Sequence, residues 1–186
     1  ARTDIKYTVR HWQESLETTG ATQFEGKYYK LFETETKYGT TGEQTNAVAK
    51  TYTGFTAQTI TQQTISGGGN TVVNVLYNRN TYTLTLAKET GISAVTSAET
   101  SYLYGESVTV IATIENNYEF EKWTSSNSNL LADGITEQYS FTMPAGNITL
   151  TATAKIKQFM ITIKKVGNGF VLDKYGQDMH QGESNT

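Results

Sequence analysis

Two histidines, His11 and His180, are all the imidazole the chain carries. They are too few, and too isolated from suitable partners, for a His-centred triad or a zinc site. His11 follows Ile5, Tyr7 and Val9 on one side of an alternating stretch, so it reads as a partly buried structural residue. His180 lies near the end of the chain. Glu33 and Glu35 stand two apart on another alternating stretch and therefore point the same way, as a paired-carboxylate site would require. Lys30 and Lys37 flank them, which makes a solvated, charge-balanced face the simpler reading. Glycoside hydrolysis needs two carboxyl groups facing each other across a cleft, and the pattern supplies no opposing partner. No catalytic residue is expected, and neither hydrolase, transferase nor redox activity.

Other chemistry fails on spacing. The Ser125–Asn129 loop and Asp133-Gly134 do not match the alternating oxygen ligands of a calcium loop, and they read as turns. Gly67-Gly68-Gly69 lacks the following lysine and helix of a phosphate cradle, and it reads as a hairpin tip. Cysteine is absent, which excludes disulfides, thiolate metal sites and thiol nucleophiles. No metal and no cofactor are expected. Asn147-Ile148-Thr149 has the form of a glycosylation acceptor but falls inside a predicted strand. Recognition by stacking remains. Trp123 reads as core, whereas Trp12 lies on the face opposite Tyr7 and Val9, beside Arg10, and these two are the candidate ligand contacts.

The elements that position these residues are strands. The chain has 186 residues, 37% hydrophobic and 11% aromatic, enough apolar surface for one or two small cores. A count of 33 Thr, many alternating with apolar residues, favours sheet throughout. With 18% charged residues and a net charge of −3, no basic stripe exists for a nucleic-acid backbone. No apolar stretch approaches the roughly 20 residues of a spanning helix, so no membrane insertion is expected. The first residues carry no basic and apolar leader, so any secretion signal is expected to lie upstream or to have been removed.

Residues 5–12 read as the first strand. Lys27–Lys37 returns from a long exposed tip, and Thr71–Tyr77 closes a first unit near residue 80. Thr40 and Glu43 have the spacing of a capping box, which predicts a short helix over Gly42–Lys50. From Thr81 strands follow one another: Tyr82–Lys88, Glu106–Ile114, Tyr118–Thr124, Gln138–Met143 and Ile148–Lys155, with Pro144 at a corner. A shift of 77 residues carries Tyr82–Lys88 onto Phe159–Lys165 and Gly105-Glu106-Ser107 onto Gly182-Glu183-Ser184, the mark of a repeat. The expected organisation is a module over 1–80, a second over 81–156, and the truncated start of another copy over 157–186.

Tyr7-Thr8-Val9, the turn Tyr38–Gly42, Ala49–Phe55 and the closing Thr71–Asn80 resemble the mucin-binding-protein-type (MucBP-like) repeat of Gram-positive surface proteins. That resemblance implies a β-grasp-like module, a mixed sheet crossed by a short helix. The second unit is similar to the divergent internalin-type B-repeat, on Tyr104–Val110, Tyr118–Trp123 and Phe141–Ala152. The implied fold is mainly β, with a β-grasp-like module followed by an all-β repeat in an elongated tandem array. The implied role is a stalk, spacer and adhesion region on the bacterial cell surface. Its partners would be neighbouring repeats of the same parent chain and a host or matrix protein or glycan. The rival readings are a specific glycan- or protein-binding module and an accessory domain of a surface enzyme.

Overall fold

Alternation of Thr, Val, Ile and Tyr with polar residues suits a pleated sheet with one buried face, and twelve strands form among the described residues. The computed structural model describes residues 1–127, 130 and 134–159. The chain divides into Ala1–Ile156, which carries every one of these strands, and Lys157–Thr186. The reading of 157–186 as a truncated repeat, His180 included, lies outside the described residues save for Lys157, Gln158 and Phe159.

The first sheet contains β1 (Ile5–Glu14), β2 (Thr22–Phe24), β3 (Lys27–Gly39), β4 (Phe55–Ala57) and β5 (Thr71–Arg79), in the spatial order β2-β3-β1-β5-β4. β1 pairs antiparallel with β3 and parallel with β5. A bulge between His11 and Trp12 leaves Phe32 of β3 without a direct partner. The inner face buries Ile5, Tyr7, Val9, Val73, Val75 and Tyr77, and Ala47 and Ile65 close it from the crossover between β3 and β5.

That crossover corrects the expected helix over Gly42–Lys50: no residue of it is helical. Gly42 has φ +89°, outside the right-handed helical region, and the Glu43 N–H closes a turn onto the Thr40 carbonyl at 3.1 Å. A capping pattern and a tight turn use the same residue types, since Thr and Glu satisfy backbone groups in either setting. The extended residues that follow are held by side chains. The Gln62 amide accepts from the Ala47 N–H at 2.9 Å and from the Thr45 hydroxyl at 2.8 Å, and donates to the Ala47 carbonyl at 2.8 Å. Gln62 stands in for a neighbouring strand. The β-grasp-like expectation therefore keeps its mixed sheet and loses its helix.

The second half carries β6 (Thr81–Lys88), β7 (Ile92–Ser97), β8 (Ser101–Leu103), β9 (Ser107–Ile114), β10 (Tyr118–Ser125), β11 (Gln138–Thr142) and β12 (Ile148–Ile156). They form a four-stranded sheet β10-β12-β6-β8 and a three-stranded sheet β11-β9-β7. Between them lies one apolar cluster, with Leu84, Ile92, Tyr102, Val108, Val110, Trp123, Met143, Ile148 and Leu150 buried. Trp123 is 2% exposed and donates its indole N–H to the Thr136 carbonyl at 3.1 Å. The Met143-Pro144-Ala145-Gly146 corner sits between β11 and β12, where proline's missing N–H removes no ladder bond.

Asn80 alone separates β5 from β6, and Arg79 fastens the two halves. Its backbone N–H donates to the Glu14 carboxylate and its Nε to the Glu14 carbonyl, both at 2.8 Å, while Nη1 donates to the Tyr104 carbonyl. The guanidinium lies 5.1 Å from the Phe55 ring centre, and Phe55 meets Tyr104 edge-on at 5.6 Å. Backbone bonds cross the same seam, from the Asn80 N–H to the Gly54 carbonyl and from the Tyr104 N–H to the Asn80 carbonyl. Gly54 has φ +79°, and a Cβ there would run into the Tyr104 ring.

Two outcomes follow for the seam. Nitrogen-15 relaxation of the intact chain should give one rotational correlation time for β1–β12, splitting into two in Arg79→Ala as the halves begin to reorient independently. Gly54→Ala, strained in φ and overpacked against Tyr104, should lower the denaturation free energy by about 2 kcal/mol.

Candidate functional site

The two faces of the first sheet carry the chain's chemically distinctive side chains. On the inner face β1 places His11 opposite Glu33 of β3 and Val75 of β5. His11 is 0% exposed, so the expected partial burial becomes complete burial. The Tyr77 hydroxyl accepts the Lys50 backbone N–H at 2.8 Å and lies 2.8 Å from His11 Nδ1. The Tyr77 hydroxyl can then give its own proton to Nδ1 in the tautomer that carries the ring proton on Nε2. Nε2 faces the Glu35 carboxylate at 3.7 Å and has no hydrogen-bond partner.

Glu33 and Glu35 share this face, as their spacing requires, and both stay partly open to solvent, but the expected counter-ions are corrected. Their main cation is Lys50, whose ammonium lies 3.0 Å from Glu33 and also contacts Glu35. Lys37 is 3.7 Å from Glu35, and Lys30 pairs with Glu17 instead at 2.7 Å. Tyr52 donates its hydroxyl to Glu33, and its ring packs edge-on against Tyr77 at 4.7 Å and Phe32 at 5.0 Å. The cluster thus joins β1, β3, β5 and residues 50–52 of the crossover.

Its electrostatics follow from these contacts. Burial lowers the His11 pKa and holds the ring neutral, against the opposing pull of Glu35. The Tyr52 hydrogen bond holds Glu33 below the usual carboxylate range, and the Lys50 ammonium does the same for Glu35. Those two carboxylates in turn raise Lys50. Burial raises Tyr77, and burial followed by the bond to Glu33 raises Tyr52. A neutral imidazole and a protonated Tyr77 phenol, both buried, thus lie beneath a partly exposed group of charge-compensated carboxylates. Among the described residues no group of three or more His, Cys, Asp or Glu is arranged to hold a metal ion.

The outer face carries Trp12 and Arg10. Trp12 is half-buried: its indole N–H donates to Asn74 Oδ1 at 2.9 Å, and its ring meets Phe24 edge-on at 5.1 Å. Phe24 continues onto the buried Tyr29, whose hydroxyl donates to Asn78 and accepts from Gln58. Arg10 is exposed and registers with Thr34 of β3 and Asn74 of β5. Lys6 and Thr8 precede it on the same face of β1. Trp12 and Arg10 therefore sit on a face rich in hydroxyls, amides and cations, with Trp12 anchored from behind. Asn74, Phe24 and Tyr29 complete the face. They escaped a reading by residue type because their role depends on register between strands distant in sequence.

Trp123 belongs to the second core, and Asp133 lies outside the described residues. Gly67–Gly69 form a turn in which the Gly69 N–H bonds the Ser66 carbonyl at 3.1 Å.

Raised phenol pKa values make the first half sensitive to alkali. Tyr29, Tyr52 and Tyr77 hold their protons more tightly folded than unfolded. Their stabilisation is therefore complete below about pH 10 and is lost as pH rises above it. Denaturation at pH 8 and pH 11 should show this loss, and Tyr52→Phe should reduce the difference between the two.

No curated protein and no solved structure matches the chain. Residues 82–158 match the family model of the divergent InlB B-repeat domain. The matched stretch runs from Tyr82 in β6 past the end of β12, and it supports the internalin-type part of the resemblance.

Proposed function

We propose that this chain is a non-catalytic stretch of a bacterial cell-surface protein, in which β modules in tandem act as spacer and adhesion units outside the cell. The observation that carries this reading is the match of residues 82–158, one repeat period in length, to the divergent InlB B-repeat domain. Topology supports it. In each half the first and last strands lie side by side and parallel, β1 with β5 and β6 with β12. Each half therefore admits the chain at one pole and releases it at the other, as head-to-tail modules must. The mixed first sheet and its sequence phrases support a mucin-binding-type role for residues 1–80. A host or matrix protein or glycan, and neighbouring repeats, are the partners this reading calls for.

The second reading makes the outer face of the first sheet a specific receptor-binding surface. It is favoured by Trp12, locked by Asn74 and Phe24 beside the exposed Arg10, because a pre-ordered aromatic loses little entropy on contact.

Pulling one molecule by its ends tests the spacer. Force along the chain loads the parallel β1–β5 and β6–β12 ladders in shear, so their bonds must break together. Two separate unfolding events, each releasing about 250 Å of chain for roughly 75 residues, are expected. Gradual extension at low force would refute it. Adhesion should be multivalent: beads densely coated with the chain should be retained on mucin or matrix surfaces, and single molecules should wash off. A several-fold loss of retention in Trp12→Ala or Arg10→Ala would favour the second reading, and unchanged retention would remove it.

A further inference from the structure

We infer that the cluster of His11, Glu33, Glu35, Lys50 and Tyr77 is an acid-sensitive clamp, which holds the crossover segment 44–65 against the first sheet and releases it, in the first half alone, on mild acidification. The crossover has no helix to hold itself together. Beside the apolar contacts of Ala47 and Ile65 and the short pairing of β4 with β5, individual polar bonds hold it to the sheet, and those around residues 50–52 converge on this cluster: the Lys50 N–H to Tyr77, the Lys50 ammonium to Glu33 and Glu35, and the Tyr52 hydroxyl to Glu33.

Each of these bonds depends on a protonation state. Tyr77 can take the Lys50 N–H and give its own proton to Nδ1 only while the His11 ring is neutral. A second ring proton would make Nδ1 a donor, so that the Tyr77 hydroxyl must turn its own proton away and loses Nδ1 as acceptor. It would also place a positive charge, 0% exposed, at the foot of the Lys50 ammonium. Nε2–H is too far from Glu35, at 3.7 Å, for a compensating hydrogen bond. At 3.7 Å Glu35 stands at ion-pair range of the imidazolium, and closing to hydrogen-bond distance would draw it from Lys50, which it holds together with Glu33.

The titratable groups facing His11 are Tyr7 on β1, Glu33, Glu35 and Lys37 on β3, Lys50 and Tyr52 on the crossover, and Tyr77 on β5. Glu33 and Glu35 pull the ring toward protonation and Lys50 opposes them. Burial is the largest influence and sets the direction, a pKa below the ordinary 6.5. The unfolded or opened state thus binds the proton first. The clamp is complete above about pH 6.5 and weakens as pH falls through that value toward the folded pKa of His11. Glu33 and Glu35, held below 4.5, add a second loss only in stronger acid. The second half contains no such device: its one buried polar side chain among the described residues is Thr153.

The test is proton–nitrogen correlation spectroscopy of the full chain between pH 7.5 and 4. Signals from residues 44–65 should broaden or shift to exchange-averaged positions between pH 6.5 and 5, together with the His11 ring carbon shifts, while signals from β6–β12 stay in place. In His11→Gln, which keeps an acceptor for Tyr77 but cannot take a proton, the transition should move below about pH 4.5. A wild-type segment unchanged down to pH 4.5 would overturn the inference. So would simultaneous change in both halves, or an equal midpoint in His11→Gln. If His11→Gln fails to fold, the wild-type ring titration decides alone: a His11 midpoint that does not coincide with the change in residues 44–65 overturns the clamp.

Discussion

Parallel pairing of the first and last strand of each half is the constraint from which the rest of the molecule follows. Two parallel neighbours cannot be joined by a tight turn and need a long crossover that returns the chain to the starting pole. Between β1 and β5 the return is made by β3 and the irregular segment from Thr40 to Asn70, with β4 added at the far edge. Between β6 and β12 it is made by a whole second sheet, β11-β9-β7, together with β8 and β10. The same constraint leaves the exit of β5 at the opposite pole from the entry of β1, about 30 Å away for nine residues of strand. β6 can then begin one residue later without reversing direction.

Covering the first sheet with an irregular segment instead of a helix changes what holds its core closed. A helix satisfies its own backbone groups, whereas the extended residues 45–50 must find partners elsewhere, and buried backbone groups left unpaired cost about 1–3 kcal/mol each. Gln62, Thr45, Tyr7 and Tyr77 provide those partners. Each such bond contributes only about 1 kcal/mol net, so the cover is held by many small contributions joined in one network. The second core, closed sheet against sheet by Trp123, Met143 and Leu150, depends on apolar burial and carries little of this polar chemistry.

Alternation made the long strands legible from residue types alone. Ile5–Val9, Thr71–Tyr77 and Ile148–Lys155 all fall inside observed strands, and the face carrying Trp12 and Arg10 follows from period two. The short strands were not legible. Thr22–Phe24, Phe55–Ala57 and Ser101–Leu103 have three residues each, too few for a period to show, and exist because longer neighbours offer them an edge. Ile92–Ser97 carries a register irregularity between Ile92 and Ala94, which breaks the alternation that would reveal it. The His11 cluster was half legible. The shared face of Glu33 and Glu35 is local, but Lys50 reaches it from 15 residues away through a segment read as helix, so its true counter-ion could not be chosen over Lys30 and Lys37.

The seam between the halves shows why one side chain can do what composition does not announce. An arginine holds five N–H donors in a rigid plane whose faces are weakly hydrated. Arg79 uses both properties, donating in the plane to the Glu14 and Tyr104 carbonyls while a face rests on Phe55. A lysine at this position would keep the charge but could not serve two carbonyls from one plane, nor stack in the same pose. Close approach at the seam also demands the absence of side chains: Gly54 lies under Tyr104, and Gly105 has φ +80° with Arg79 where its Cβ would stand. One fork and two bare backbones therefore fix the angle between two cores whose buried residues form separate clusters. The rigidity of the joint rests on few residues and is correspondingly easy to remove without touching either core.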